Sequence, residues 1–207
     1  MTLPPELIGK SIYGRDLYLS AIEHLDEWRS TLAEPSPYFV LLLVLDARKF
    51  TDEQVRAFAD KIATQGVGYV YAWGPDADRV HLIFDLALYV DNEDLRREAD
   101  AHDATILTSS DEDEELDDAI YFAVVNAHPD DYYYAPEGWN PLLAVVVDAR
   151  DWAAQVRRRF LDTRALSEDV LARQPPPPKF ADFRRWWRRR RTARAIKRVR
   201  RRWDLDP

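Results

Sequence analysis

Two apolar, β-prone runs of the sequence are followed closely by polar residues that could do acid–base or metal-assisted chemistry. The run at residues 38–45 ends at an aspartate, and the run at residues 67–73 precedes two aspartates and a histidine. Because ligands in open α/β sheets bind outside the carboxyl ends of the strands, these side chains could form a hydrolytic site. Aspartates also end strands and cap helices, so the same positions have a structural explanation. The candidate catalytic residues are Asp46, Asp76, His81 and Asp85.

The C-terminal segment is rich in arginine and tryptophan and gives the strongest signal for binding. Residues 180–203 hold 12 Lys and Arg against one acid, Asp182. Arginine side chains bind phosphates and release counterions, and tryptophan rings stack on unpaired bases. We therefore expect this tail to contact nucleic acid or a ribonucleoprotein. The candidate contact residues are Arg184, Arg185, Trp186, Trp187, Arg188, Arg189, Arg190, Arg191, Arg194, Arg198, Arg201 and Trp203.

The same tail is consistent with two other kinds of acidic partner. Apolar residues between Phe183 and Trp203 recur mostly at steps of three and four, which predicts a basic amphipathic helix. Such a helix could dock on an acidic protein surface, either the chain's own acidic part or that of a neighbouring subunit in a homo-oligomer. It could also lie on an anionic membrane surface with its tryptophans at the interface.

The chain of 207 residues is divided by charge. Residues 1–151 hold 11 Lys and Arg against 31 Asp and Glu, a net charge of −20, whereas residues 152–207 hold 18 against 6, a net charge of +12. Opposite charges in two parts of a chain favour either a polyanionic partner for the basic part or a basic tail that lies on the acidic part of the same chain, which we call the acidic body. Apolar residues make up 46% of the sequence, which is enough to bury a core and excludes global disorder.

Missing residue types and motifs exclude several classes of site. The chain has no cysteine, so disulfide scaffolds, Cys-ligated metal centres and thiol catalysis are excluded. None of the motifs G-x-S-x-G, Walker A, G-x-G-x-x-G or H-E-x-x-H occurs, although a Ser-His-Asp set without a local motif stays open. The acidic run at residues 111–115 lacks the features of an EF-hand loop and suits the first turn of a helix, with Ser109 or Ser110 as its cap. We expect no metal and no cofactor.

Hydrophobic patterns predict helices that alternate with strands. We expect helices at residues 16–32, 51–64, 92–101, 111–127 and 148–161, and strands at residues 38–45, 67–73, 105–107 and 141–147. Residues 80–90 fit either a strand or a short helix. A run without polar alternation, such as residues 38–45, indicates a strand covered on both faces. The sequence therefore predicts an α/β fold, a three-layer sandwich with about four mainly parallel strands, plus a C-terminal basic helix after a proline spacer.

Four regions are expected along the chain. Residues 1–36 form an N-terminal lead-in and helix, 37–173 an acidic α/β domain, 174–179 a proline-rich spacer and 180–207 a basic amphipathic tail helix. The spacer, Gln174-Pro-Pro-Pro-Pro-Lys179, favours a semi-rigid extended segment. The first ten residues do not read as a signal peptide, and the longest apolar run is far shorter than the roughly 20 residues of a membrane span. We therefore expect a cytoplasmic protein.

A loop rich in aromatic residues follows the fourth predicted helix. It contains Tyr132, Tyr133, Tyr134 and Trp139. Exposed tyrosines and tryptophans anchor protein interfaces, so the loop could be a recognition surface. An aromatic lid over the edge of the sheet explains it equally well.

Motifs scattered over residues 37–150 carry a resemblance to a known family. They are Pro37-Tyr38, Tyr71-Ala-Trp73-Gly74 with Asp76, Val80-His81 with Asp85, Thr105-Ile-Leu-Thr108, the acids at 111–115, Leu116-Asp-Asp-Ala119-Ile120-Tyr121-Phe122, Asn126-Ala127-His128-Pro129-Asp130 and Trp139. Together they resemble a small bacterial α/β family, the domain of unknown function 7684. The chain departs from the family pattern at Leu82 and at Ser109-Ser110. The resemblance implies an α/β fold and no particular activity.

These observations favour a non-catalytic binding or adaptor protein whose tail contacts nucleic acid, a ribonucleoprotein or an acidic protein surface. One specific form is an accessory factor in a bacterial conflict system, which rests on analogy. The alternatives are a metal-assisted hydrolase acting on nucleic acid and a peripheral membrane protein. The hydrolase requires its four candidate side chains to converge in one crevice, and the membrane protein requires an exposed apolar stripe on the tail.

Overall fold

The chain divides into two units, Met1–Val170 and Leu171–Pro207. A computed structural model describes residues 4–28, 38–90, 92–102, 104–133 and 140–174. The basic tail with all of its candidate contact residues lies outside the described residues, as does the spacer from Pro175 onward. The predictions for the tail therefore stay predictions.

The first unit is built on one sheet whose strands are mostly parallel. Its strands in the described residues are β1 Glu6–Lys10, β2 Asp16–Ile22, β3 Phe39–Val44, β4 Val67–Trp73, β5 Leu107–Asp111 and β6 Leu142–Val147. They lie in the order β1-β2-β6-β3-β4-β5. β1 is antiparallel to β2, and every other neighbouring pair is parallel. The α/β class is confirmed, with six strands in place of about four.

Helices cover both faces of this sheet. In the described residues they are α1 Asp52–Ala63, α2 Ala77–Asp85, α3 Glu93–His102, α4 Leu116–Val125, α5 Arg150–Leu161 and α6 Thr163–Arg173. One core lies between the sheet and α1 and α2, and it takes in Leu41 and Leu43 of β3. The other core lies under α4, α5 and α6, and it takes in Val40 and Leu42. Alternate residues of β3 thus enter opposite cores, which explains its unbroken apolar sequence and confirms the three-layer sandwich.

Local sequence signals explain where α1 begins, and the structure settles the conformation of the segment that contains α2. The backbone N–H of Gln54 donates to Thr51 Oγ1 at 3.3 Å, and the backbone N–H of Thr51 donates to Gln54 Oε1 at 2.9 Å. This is the capping box that the sequence predicts at the start of α1. Residues 80–90, which fitted a strand or a helix, belong to α2 and to a π-helical turn at Leu86–Val90.

The predicted helix at residues 16–32 is wrong, because Asp16–Ile22 form β2. The apolar residues here fit helical spacing, but they also fit the alternation of a strand. Leu17 and Leu19 are buried in the core under α4, α5 and α6. Ile22 enters the opposite core. β2 pairs residue by residue with β6, and this pairing with a buried partner strand decides between the two periodicities. The lead-in therefore joins the sheet through β1 and β2.

Candidate functional site

Gly74 brings the end of β4 close to the end of β3. Its φ is +123°, and a Cβ at this position would lie 2.2 Å from the carbonyl oxygen of Leu45. Glycine meets both conditions because it has no Cβ. Two residues later Asp76 adopts the left-handed region with φ +65° and precedes α2. This turn therefore fixes where α2 begins relative to β3.

Asp46 follows β3 and is engaged by an arginine two residues away. Arg48 donates from Nε to Asp46 Oδ1 at 2.8 Å and from a terminal nitrogen to Oδ2 at 2.9 Å. This forked hydrogen bond lowers the pKa of Asp46 from its ordinary value. Asp46 also accepts from the backbone N–H of Arg48 and so caps the short 3₁₀ turn Ala47–Lys49. These contacts give Asp46 a structural role.

Asp76 also faces an arginine. Arg79 donates from Nε to Asp76 Oδ2 at 2.6 Å. Its terminal nitrogens donate to the Asp52 carboxylate and to the backbone carbonyls of Ala47 and Phe50. The bond to Asp76, followed by that to Asp52, raises the pKa of Arg79. Arg79 therefore ties the first turns of α2 to the loop after β3 and to the start of α1.

His81 and Asp85 come together on the side of α2 that faces β5. His81 Nε2 lies 2.9 Å from Thr108 Oγ1 and 3.4 Å from Asp85 Oδ2. The Thr108 hydroxyl donates to Asp85 Oδ1. The side chain of His81 is 18% exposed and that of Asp85 is 40% exposed. Since Thr108 belongs to β5, these contacts join α2 to one of the two edge strands of the described sheet.

Two residues that were not among the candidate catalytic residues complete this group. The Ser110 hydroxyl donates to Asp78 Oδ1 at 2.6 Å, and Ser110 Oγ lies 3.3 Å from His81 Nδ1. We call Asp78, His81, Asp85, Thr108 and Ser110 the His81 network. Its α2 members recur at steps of three and four, and its β5 members at a step of two, so each set lies on one face of its element. Those two periodicities are the sequence signal that would have found the network.

The acidic residues after β5 brace a turn. Asp111 Oδ1 accepts from the backbone N–H groups of Asp113 and Glu114, each at 2.9 Å. Trp73 at the end of β4 donates from Nε1 to the Glu114 carbonyl, also at 2.9 Å. The run therefore helps to close β5 against β4. The prediction that its acids form the first turn of a helix is wrong, because Asp111 ends β5 and α4 begins at Leu116.

The prediction that Ser109 or Ser110 caps the helix after the acidic run is wrong. Both serines lie in β5, and Glu115 occupies the cap position of α4. Ser109 Oγ is hydrogen-bonded to the Tyr69 hydroxyl at 3.0 Å. The strand extends further than expected because β5 pairs with β4 as far as Asp111.

The described part of the aromatic loop packs inward. Tyr133 is 2% exposed, and the ring of Tyr132 stacks on His102 with centroids 4.1 Å apart. These contacts agree with a lid over the sheet. Tyr134 and Trp139 lie outside the described residues.

The four candidate catalytic residues do not share one centre. The structure joins His81 to Asp85 and engages Asp46 and Asp76 with arginines. Within residues 4–28, 38–90, 92–102, 104–133 and 140–174, no group of three or more His, Asp or Glu side chains is placed to hold a metal ion. What the site offers chemically is a hydrogen-bonded chain of carboxylates, hydroxyls and an imidazole across α2 and β5.

Comparison with known proteins identifies the family. A family model described as a domain of unknown function, DUF7684, matches residues 17–163. The chain belongs to the DUF7684 family. The resemblance over residues 37–150 is thereby confirmed, and the DUF7684 match extends further at both ends, to include β2 and α5. No curated protein matches the chain. Among the helices of this DUF7684 protein that the structure describes, none is long and apolar enough to cross a membrane.

Proposed function

We propose that this DUF7684 protein is a non-catalytic binding protein whose Arg- and Trp-rich tail contacts nucleic acid or a ribonucleoprotein. The observation that carries the proposal is the division of charge, with a net −20 in residues 1–151 and +12 in residues 152–207. A polyanion is attracted by the tail and repelled by the acidic body, so the contact is confined to the tail. One specific form of this proposal, which rests on analogy, is a cytoplasmic accessory factor in a bacterial conflict system.

Basic side chains of the first unit, including Arg157 and Arg159 from the net-positive part of the chain, are paired with carboxylates, which supports a contact confined to the tail. Lys49 Nζ lies 2.8 Å from Asp148 Oδ2. The further pairs are Arg48–Asp46, Arg56–Asp60, Arg79–Asp76, Arg157–Glu6 and Arg159 with Asp117 and Asp169. A cation that already faces a carboxylate attracts a phosphate less, because the two fields largely cancel. We infer that the body contributes little phosphate binding.

The positions of the candidate catalytic residues support the non-catalytic part of the proposal. A hydrolytic centre requires its acid, base and metal ligands around one reacting atom. Asp46 and Asp76 each form an ion pair with an arginine, so their carboxylates serve the loops at the carboxyl ends of β3 and β4.

Binding of short RNA and DNA across a salt series tests the proposal. The full-length protein is compared with a version ending at Arg173, the last residue of α6, and affinity is measured by fluorescence anisotropy. We expect the full-length protein to bind and to lose about 10³-fold or more in affinity between about 50 and 200 mM salt, as for six or more phosphate contacts. We expect no binding by the shortened protein. Equal binding by the two versions would contradict the proposal.

Length-matched variants separate the charge of the tail from its length. Replacing the four arginines at residues 188–191 by glutamine is expected to reduce the slope of log affinity against log salt by roughly 3 to 4 for duplex DNA. Trp186→Ala is expected to weaken binding of single strands by about 1–3 kcal/mol while leaving duplex binding nearly unchanged. Binding to anionic vesicles without any binding to nucleic acid would instead identify a membrane contact. Cleavage of the probe on addition of a divalent metal would overturn the non-catalytic assignment.

A further inference from the structure

The protonation state of His81 follows from counting hydroxyl hydrogens. A hydroxyl donates one hydrogen, and an ionised carboxylate accepts only. Thr108 donates its hydrogen to Asp85 Oδ1. Its oxygen therefore acts as an acceptor towards His81 Nε2, 2.9 Å away. The Nε2 atom of His81 must then carry a hydrogen.

The contacts of Ser110 favour a hydrogen on the other ring nitrogen of His81, Nδ1, by a similar argument. Ser110 Oγ and Asp78 Oδ1 are 2.6 Å apart, a distance at which the hydrogen lies between the two oxygens. Ser110 therefore presents lone pairs to His81 Nδ1, 3.3 Å away. Two lone pairs facing each other repel, whereas an N–H facing the serine oxygen attracts it. The contact thus favours a hydrogen on Nδ1 as well.

We propose that the folded protein holds His81 as the doubly protonated imidazolium between Asp78 and Asp85, as a proton-operated clamp between α2 and β5. The clamp contains one cation and two carboxylates joined through two hydroxyls. Loss of the proton removes the positive charge that faces the two carboxylates and turns one attractive contact into a repulsive one. The proposal concerns the first unit and does not depend on what the tail binds.

The neighbouring groups that the structure describes are compatible with the charged form of His81. Arg79, a cation on the same helix, is turned towards Asp52. β4 presents apolar side chains to α2 in the shared core. The π-helical turn after α2 contributes Tyr89, whose pKa is raised by burial and by nearby Asp85, so that its hydroxyl stays neutral. The hydroxyls that β5 contributes do not titrate in this range.

The position of β5 at an edge of the sheet determines what happens when His81 loses its proton. In the described sheet β5 pairs with β4 and forms one edge, opposite β1. Side chains of the His81 network reach β5 from α2. An edge strand that loosens exposes backbone groups able to pair with another strand. Raising the pH is therefore expected to loosen β5 selectively.

NMR of the histidine ring nitrogens in the full-length protein tests the proposal. The chain has 4 histidines, and a His81→Gln variant assigns the His81 signals. At about pH 7.5, above the ordinary titration of histidine near pH 6.5, we expect both nitrogens of His81 to be protonated. His128 is the internal control, because burial and the nearby Arg15 lower its pKa. We expect one protonated and one bare nitrogen there.

A charge-removing variant separates this proposal from an incidental hydrogen-bond pattern. Asp85→Asn keeps an acceptor for Thr108 and removes one negative charge, so the midpoint of the His81 titration is expected to fall by about one pH unit. Asp60→Asn, which alters the Arg56 pair within α1, is expected to leave that midpoint unchanged. A bare ring nitrogen on His81 at about pH 7.5, or an unchanged midpoint in Asp85→Asn, would overturn the proposal.

Discussion

Aspartates near the carboxyl ends of the parallel strands are held in two different ways. Beside the interior strands β3 and β4, which we call the centre, Asp46 and Asp76 face Arg48 and Arg79. At the edge, the aspartates of α2 face hydroxyls of β5 and His81. Arginine stays charged at every pH at which a protein works, whereas histidine loses its proton near neutrality. We infer that the centre is braced permanently and that the edge is braced while His81 is protonated.

The largest effect is expected where the central strands approach each other, at Gly74. Gly74→Ala would place a Cβ 2.2 Å from the Leu45 carbonyl oxygen at a φ of +123°, so a loss of about 3 kcal/mol or more in unfolding free energy is expected. Gly9→Ala is the matched control, because no atom lies within 4 Å of its added Cβ. Urea unfolding of both variants measures the difference. Similar losses in both would show that the close approach at Gly74 has no special importance.

Removing the arginine that joins α2 to the loop after β3 is expected to have the next largest effect. Arg79→Met leaves the Asp76 carboxylate and two backbone carbonyls without this donor, and we expect a loss of about 2–3 kcal/mol in unfolding free energy. Arg56→Met removes an exposed pair with Asp60 within one helix, and less than about 0.5 kcal/mol is expected. The two variants are compared by urea unfolding. Equal losses would contradict a bracing role for Arg79.

The edge is expected to respond to pH where the centre does not. The folded clamp binds a proton that the unfolded chain releases near pH 6.5. Wild-type stability therefore contains a contribution that is present at low pH and is lost as the pH rises. His81→Gln is expected to cost about 1–2 kcal/mol near pH 6 and little near pH 9, measured by urea unfolding at each pH. His24→Gln serves as the control, and a pH-independent cost of His81→Gln would argue against the clamp.

His128 is expected to give the smallest effect, with the opposite sign. Burial and the nearby Arg15 lower its pKa, so below the ordinary value near pH 6.5 the unfolded chain binds a proton that the folded protein binds less well. Stability is therefore lost as the pH falls. His128→Gln is expected to reduce this loss slightly, measured by the midpoint of acid unfolding. A larger acid sensitivity in the variant would refute this assignment.

The sequence predicts the central strands and α1 well because their signals are local. The unbroken apolar run of β3 and the Thr51–Gln54 capping box each depend on a few consecutive residues. β2 was predicted as a helix because its apolar residues fit both periodicities. Its pairing with β6, more than 100 residues away in the chain, decides the outcome, and no local pattern contains that information.

Only the part of the candidate site that depends on local spacing could be predicted from the sequence. His81 and Asp85 lie one helical turn apart, so their proximity follows once α2 is helical. Their partners Thr108 and Ser110 come from a strand whose position depends on the order of the whole sheet. Asp46 and Asp76 looked catalytic because they follow strands, but Arg48 in the turn after β3 and Arg79 in the first turn of α2 engage them.

Amide hydrogen exchange of the full-length protein at several pH values tests the contrast between the centre and the edge most directly. After correction for intrinsic rates, we expect the protection of β5 amides to fall by about tenfold or more between about pH 6 and pH 9. Amides of β3 and β4 that exchange only on global unfolding are expected to lose no more protection than the free energy of unfolding loses over that range, and His81→Gln is expected to abolish the pH dependence of β5. A larger loss of protection in β3 than in β5, or an unchanged β5, would contradict the account.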